Sequence, residues 1–141
     1  MVRIVVDTNI LVAACLTVGG AGRAVVKNCL KQRYCPLIGT ALFLEYEDVM
    51  ARDNLFARSP LTQAERWEVF KGFLAVCQWT EVYYAWRPNL PDEADNHLIE
   101  LAVAGNAAAI VTRNVRDLIR GELRFPHIRI LTPEQCLEAF P

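Results

Sequence analysis

Nowhere in the 141 residues does an apolar run approach the ~20 needed to cross a bilayer, so a membrane-spanning helix is not expected. There is no C-x-x-C pair among the five cysteines, Cys15, Cys29, Cys35, Cys77 and Cys136. Odd in number and scattered, they argue against a zinc site or a disulfide framework and fit reduced, mostly buried thiols of a cytoplasmic protein. Positive charge is not in surplus either: 15 Lys and Arg against 16 Asp and Glu leave a net charge of −1. The whole molecule is therefore not an electrostatic glove for nucleic acid, and any such contact must come from a local patch. No P-loop is present, and the chain starts directly on a strand pattern, so no secretory or transit leader is expected. What is abundant is apolar character, 53% hydrophobic residues beside 22% charged ones, which suits a single soluble globular domain over residues 1–141 with a real core.

The chain is organised around its first segment, VRIVVDTNI, Val2–Ile10. Val2, Ile4, Val5 and Val6 are β-branched and read as a strand buried on both faces, as in a parallel sheet covered by helices. The run stops at Asp7-Thr8-Asn9, where a helical pattern begins. A carboxylate at that junction is placed at the carboxyl edge of a sheet, where open α/β folds bind ligands. By itself it is more simply read as a helix cap.

Further along, helices are expected over Asn9–Thr17 and Arg23–Arg33, joined by the flexible Gly19-Gly20-Ala21-Gly22. A strand over Cys35–Ile38 follows, then a helix over Ala41–Ala51 with Thr40 as its N-cap. On that helix Leu42, Tyr46, Val49 and Met50 mark the buried stripe, and Glu45 lies about 60° from Leu42, at the stripe's border. Thr62 and Glu65 have the spacing of a capping box opening a helix to Cys77. A third strand is expected over Thr80–Tyr84. In the helix from Asp92 to Gly105, Asp95 falls on the packed side with Leu98 and Ala102, while His97 is expected at the surface. A desolvated carboxylate at Asp95 is costly unless paired or bound to a cation. The strand Ala108–Val111 runs into Thr112-Arg113-Asn114-Val115-Arg116-Asp117, and an edge strand over Ile128–Leu131 precedes a last helix over Pro133–Phe140.

The resulting order, β-α-α-β-α-α-β-α-β-β-α, predicts an α/β fold with a mostly parallel sheet between helical layers. Asp7, Glu45, Asp95 and Asp117 each follow a strand or open the next helix, and so share one edge of that sheet. Converging carboxylates repel unless a hard cation holds them, and oxygen ligands select Mg²⁺ or Mn²⁺ over zinc. Such a site suits phosphodiester hydrolysis. Arg113, Arg116 and Arg120 are spaced to lie together on a helix beside the acids, a basic patch that is a candidate for phosphate contacts or for pairing with a partner's acids.

VVDTNILVAA at the start, Glu45 in FLEYEDVM, and LPDEADNHLIELAVAG followed by AAAIVTRNVRDL resemble a PIN-domain ribonuclease, in particular the VapC-like toxins of toxin–antitoxin systems. The resemblance spans nearly the whole chain. It implies a three-layer α/β/α sandwich with a parallel five-stranded sheet, and Mg²⁺- or Mn²⁺-dependent endonucleolytic cleavage of RNA. It also implies a homodimer and a cognate antitoxin, and RNA as the source of the phosphates for Arg113, Arg116 and Arg120. It makes Asp7, Glu45 and Asp95 metal-binding acids and Asp117 a fourth, less constant one, with Asn9 and Thr112 as polar supports. One departure stands out: many relatives carry Gly-Asp after the threonine, where this chain has Arg113-Asn114. Asn114 offers an oxygen but no charge. That departure motivates a different reading, a PIN-like interaction module with weak or no catalysis. A phosphatase or receiver domain is a third, but Asp7-Thr8-Asn9 lacks the second acid of a D-x-D phosphatase.

Overall fold

Val2–Val6 forms β1, and its position in the middle of a five-stranded sheet explains its composition. The computed structural model describes residues 1–82, 96–119 and 127–141. In chain order the elements after β1 are α1 (Thr8–Leu16), α2 (Ala21–Leu30), β2 (Tyr34–Ile38), α3 (Thr40–Met50), a 3-10 turn (Asp53–Phe56), α4 (Gln63–Val76) and β3 (Gln78–Trp79). Then come α5 (Asn96–Ala104), β4 (Ala109–Val111), α6 (Val115–Ile119), β5 (Arg129–Leu131) and α7 (Pro133–Ala139). The strand order is β3-β2-β1-β4-β5, every pairing is parallel, and β1 is in register with β2 (Val2 opposite Tyr34) and β4 (Val5 opposite Ile110). Helices cover this sheet in a three-layer α/β/α sandwich, as the sequence predicts.

Ile4, Val5, Val6, Ile110 and Val111 are wholly buried, so the two strands have no solvated face toward their carboxyl ends. Against them pack α5, which meets β1, β2 and β4, and α7, which meets β4, β5 and α2. Gly105, just past α5, is required by that closeness: a Cβ there would lie 2.3 Å from Leu37 Cδ1 in β2. Gly20 sits at φ +100° where α1 turns into α2, a conformation L side chains rarely adopt. Tyr46 of α3, fully buried, donates its hydroxyl to the Val6 carbonyl and so ties α3 to the end of β1.

The structure departs from the sequence reading at several points. Gly39, not Thr40, is the N-cap residue of α3 and no side chain caps that helix. The third strand is two residues long and ends at Trp79, with Tyr83 and Tyr84 outside the described residues. The helix expected to carry the arginines between β4 and β5 is short: α6 starts at Val115, after Arg113, and five residues are too few for a periodic pattern to fix its bounds. Arg66 of α4 is buried, its guanidinium bonded to the Met50 carbonyl and Asp53 and stacked 4.3 Å from the Phe56 ring centre. The expected Thr62–Glu65 capping box is present. All five cysteines are free thiols, and burial pushes Cys77 up to about 12 and Cys136 up to about 11, as inert core thiols behave. Among the described residues no single helix is long and apolar enough to cross a membrane.

Candidate functional site

The chain leaves β1 toward β2 on one side, while β4 joins β1 on the other. The strand order therefore reverses between β1 and β4, the position where open α/β sheets form a ligand crevice at the carboxyl ends of the strands. Asp7 ends β1 and Thr112 ends β4, one residue into that crevice from either side. The Asp7 backbone N–H donates to the Val111 carbonyl at 2.9 Å, which keeps the two strand ends together.

Asp7 does two jobs at once. Its Oδ1 accepts from the Thr8 N–H at 2.7 Å and caps α1. Its Oδ2 accepts from Thr112 Oγ1 at 2.7 Å and from Asn9 Nδ2 at 3.3 Å. The cap and the site are thus one residue. Thr8 then hands the network on, its hydroxyl donating to Glu45 Oε1. Glu45 Oε2 lies 2.9 Å from His97 Nε2. An ionised carboxylate only accepts, so His97 donates from Nε2. Its other nitrogen, Nδ1, is buried and has no hydrogen-bond partner among the described residues.

Electrostatics follow from this geometry. Asp7 is 6% exposed, and burial raises its carboxyl above the ordinary value near 3.8. The Thr112 hydrogen bond opposes that rise and the charge of Glu45 adds to it. In Glu45 the His97 hydrogen bond dominates and holds the carboxyl below its ordinary value, against the opposing effect of partial burial. Replacing His97 by Ala is therefore expected to raise the apparent pKa of Glu45, and His97→Gln, which keeps a donor, to raise it less. NMR titration of the glutamate side-chain carboxyl carbons measures both.

Of the residues singled out in the sequence, Asp7, Asn9, Glu45 and Thr112 are brought together. Asn114 is held beside them through its backbone N–H, which donates to Thr112 Oγ1 at 2.9 Å. Asp117 lies on α6 and forms no hydrogen bond or ion pair with this cluster. Asp95 and Arg120 lie outside the described residues. Arg113 is not on a helix: it precedes α6, its guanidinium is 2.5 Å from Glu134 Oε1, and its N–H reaches Asn9 Oδ1 at 3.4 Å. Arg116 is exposed on α6. His97 overturns the expectation of a surface residue. Its side chain is only 20% exposed, because α5 lies against α3 as well as the sheet and is covered on two sides. A one-helix periodicity sees the Leu98–Ala102 face alone, so no sequence signal marked it.

The donor set around Asp7 and Glu45 is all oxygen apart from the His97 ring, which suits a hard divalent cation. A buried carboxylate beside a second one is also the arrangement that gains most from a cation. Among the described residues no three His, Cys, Asp or Glu side chains form a cage by themselves.

Comparison with known proteins agrees with this architecture. A PIN domain family model matches residues 3–116. None of the curated proteins compared with the chain matches its sequence. Among solved structures, the crystal structure of VapBC2 from Rickettsia felis bound to a DNA fragment from its promoter is similar, with a TM-score of 0.56 at 14% identity, covering 91% of this chain and 96% of that one. The sheet order, the carboxylate that ends the central strand and the extent of the family match lead to one conclusion: the chain belongs to the PIN domain family.

Proposed function

We propose that this chain is a divalent-metal-dependent endoribonuclease that serves as the toxin of a toxin–antitoxin pair. The observation that carries the reading is the Asp7–Glu45 pair at the switch point of the sheet, spanned by the hydroxyls of Thr8 and Thr112. PIN domains are nucleases as a family, and the similar Rickettsia felis structure contains a VapBC complex, which supports an antitoxin partner for this chain. A cytoplasmic homodimer belongs to the same proposal.

In this reading Asp7 and Glu45 hold Mg²⁺ or Mn²⁺, joined by Asp95, with Asp117 as a further acid. The cation, when bound, lowers the pKa of a water and neutralises charge developing on the phosphodiester. Thr112 and Thr8 fix the two carboxylates so that their free lone pairs face the crevice. His97 keeps Glu45 ionised and oriented. Asn9 and Asn114 offer amide oxygens without adding charge. Arg116, and Arg113 once released from Glu134, meet the phosphates that flank the cut, with Arg120 completing the patch. No side-chain nucleophile is needed.

A second reading, a PIN-like interaction module with weak or no catalysis, is favoured by one observation: the position after Arg113 carries Asn114, so the acid many relatives place there is missing. Incubating the purified chain with single-stranded RNA in Mn²⁺, Mg²⁺ or EDTA separates the two. Cutting that requires the metal supports the nuclease. Intact RNA at high protein concentration, with no metal bound by calorimetry, overturns it.

A further inference from the structure

Beside the acidic crevice lies a second concavity, a cleft of about 540 Å³ between the start of α3, the end of β3 and the first turns of α5. Its volume falls within the range of small-molecule and cofactor sites. Trp79, Thr80, Thr40, Ala41, Glu100 and His97 are among its lining residues. Three of its features bear on what it could hold.

The first is Trp79. Its side chain is 54% exposed and lines the cleft. Phe43 meets it edge-to-face, with ring centres 6.1 Å apart, so the indole is braced from one side while remaining open to the cleft. A braced, open aromatic face is what base stacking requires. The second is charge. Glu81 and Glu100 both line the cleft, which disfavours a phosphate inside it and favours a group with N–H donors. Glu100 has no hydrogen bond or ion pair of its own among the described residues. The third is position. His97 lines this cleft and also contacts Glu45, so a single side chain separates the cleft from the candidate metal centre.

We propose that this cleft is a nucleobase subsite for guanine, with Trp79 as the stacking platform and Glu100 as the acceptor for the base edge. Among the RNA bases, guanine alone offers two adjacent N–H donors, N1–H and N2–H, in the geometry that a carboxylate accepts with both oxygens. The subsite selects which phosphodiester of a strand reaches the crevice, and so rests on the nuclease reading for its purpose, though not for its chemistry.

The test is binding without cleavage. Fluorescein-labelled hexaribonucleotides carrying one guanine, or adenine or inosine in its place, are titrated in EDTA at low salt and followed by anisotropy. The wild-type chain is expected to bind the guanine strand about tenfold more tightly than the adenine strand, with inosine between them. Trp79→Ala is expected to weaken binding of the guanine and adenine strands alike by about tenfold, the size of one lost stack. Glu100→Gln is expected to remove the preference for guanine while leaving the adenine strand unchanged. Trp79 and Glu100 are not buried, so circular dichroism should show both variants folded. Equal affinities in wild type and Trp79→Ala overturn the proposal. So does a gel-filtration shift to monomer in Trp79→Ala with RNA binding intact, which would mean that a second copy covers the cleft. RNA cleavage absent while the Trp79-dependent affinity and the Glu100-dependent guanine preference persist rejects the nuclease and keeps the subsite. Metal-dependent cleavage by the wild type, with affinity unchanged in Trp79→Ala and guanine preference unchanged in Glu100→Gln, does the reverse.

Discussion

Asp7→Asn should lower metal-dependent RNA cleavage by at least about 10³-fold and, in the same protein without metal, raise its thermal stability. The loss follows from the several kcal/mol of charge stabilisation that a catalytic cation supplies, since the central carboxylate is gone. The gain follows from burial. Asp7 is 6% exposed beside Glu45, and its carboxyl is raised above the ordinary value. A raised acid contributes stability that is present below its ordinary pKa and lost as pH rises through the folded one. At neutral pH ionised Asp7 is therefore a net cost. Asparagine is close in shape: its oxygen takes the Thr8 N–H, the Thr112 hydroxyl turns to accept from its amide, and the Asn9 amide turns its oxygen toward it. The melting temperature should rise, by about 2–4 °C for each kcal/mol relieved in a chain of this length. The difference should vanish below pH 3.8, where Asp7 is protonated whether folded or not. Adding Mn²⁺ should reverse the order, stabilising the wild type by about 2.7 kcal/mol at a hundredfold excess over Kd and leaving Asp7→Asn unmoved. Scanning calorimetry across pH, with and without Mn²⁺, reads all of this. A variant no more stable than wild type at pH 7 would show that Asp7 is already matched by another cation in the fold.

Thr112→Val carries the second large effect, and here activity and stability should fall together. Thr112 is wholly buried, donates to Asp7 and accepts from the Asn114 N–H. Valine keeps the shape and deletes both bonds. The bond to Asp7 is charge-assisted, so about 1.5–3 kcal/mol of stability should be lost, seen as a lower urea midpoint at an unchanged slope. Metal affinity should fall about 10–100-fold, as when a carboxylate ligand loses the group that orients it. The double variant with Asp7→Asn should lose less than the sum, because the charge that made the bond costly to lose is absent. Additive losses would mean that Thr112 acts through Asn114 and not through Asp7.

How far the site was legible in the sequence depends on what each residue needed for its reading. Asp7 needed only its own neighbours, since a β-branched run ending in an acid before a helical pattern places it at a strand end. Glu45 needed one helix: about 60° from Leu42 predicts a half-covered side chain, and it is 37% exposed. His97 needed two. Its face of α5 is defined by α3, an element more than 40 residues earlier, and periodicity within α5 carries no information about that neighbour. Arg113 needed the true start of α6, Val115, two residues beyond it. The parallel sheet was legible from composition, but the two-residue length of β3 was not, because backbone pairing and not side-chain pattern sets where a short edge strand stops.

The parallel placement of β1 beside β4 also has a consequence for synthesis. Thr112, which completes the hold on Asp7, lies 105 residues after it. At ribosomal rates of about 5–20 residues per second, roughly 5–20 s pass between the translation of the two, before counting the time to clear the exit tunnel. During that interval the nascent chain carries Asp7 and Glu45 but has neither the flanking strand nor the hydroxyl that sets the carboxylate. A chain that cuts RNA would be made beside the message that encodes it. In this topology the Asp7 site stays unassembled until the ribosome has passed Thr112.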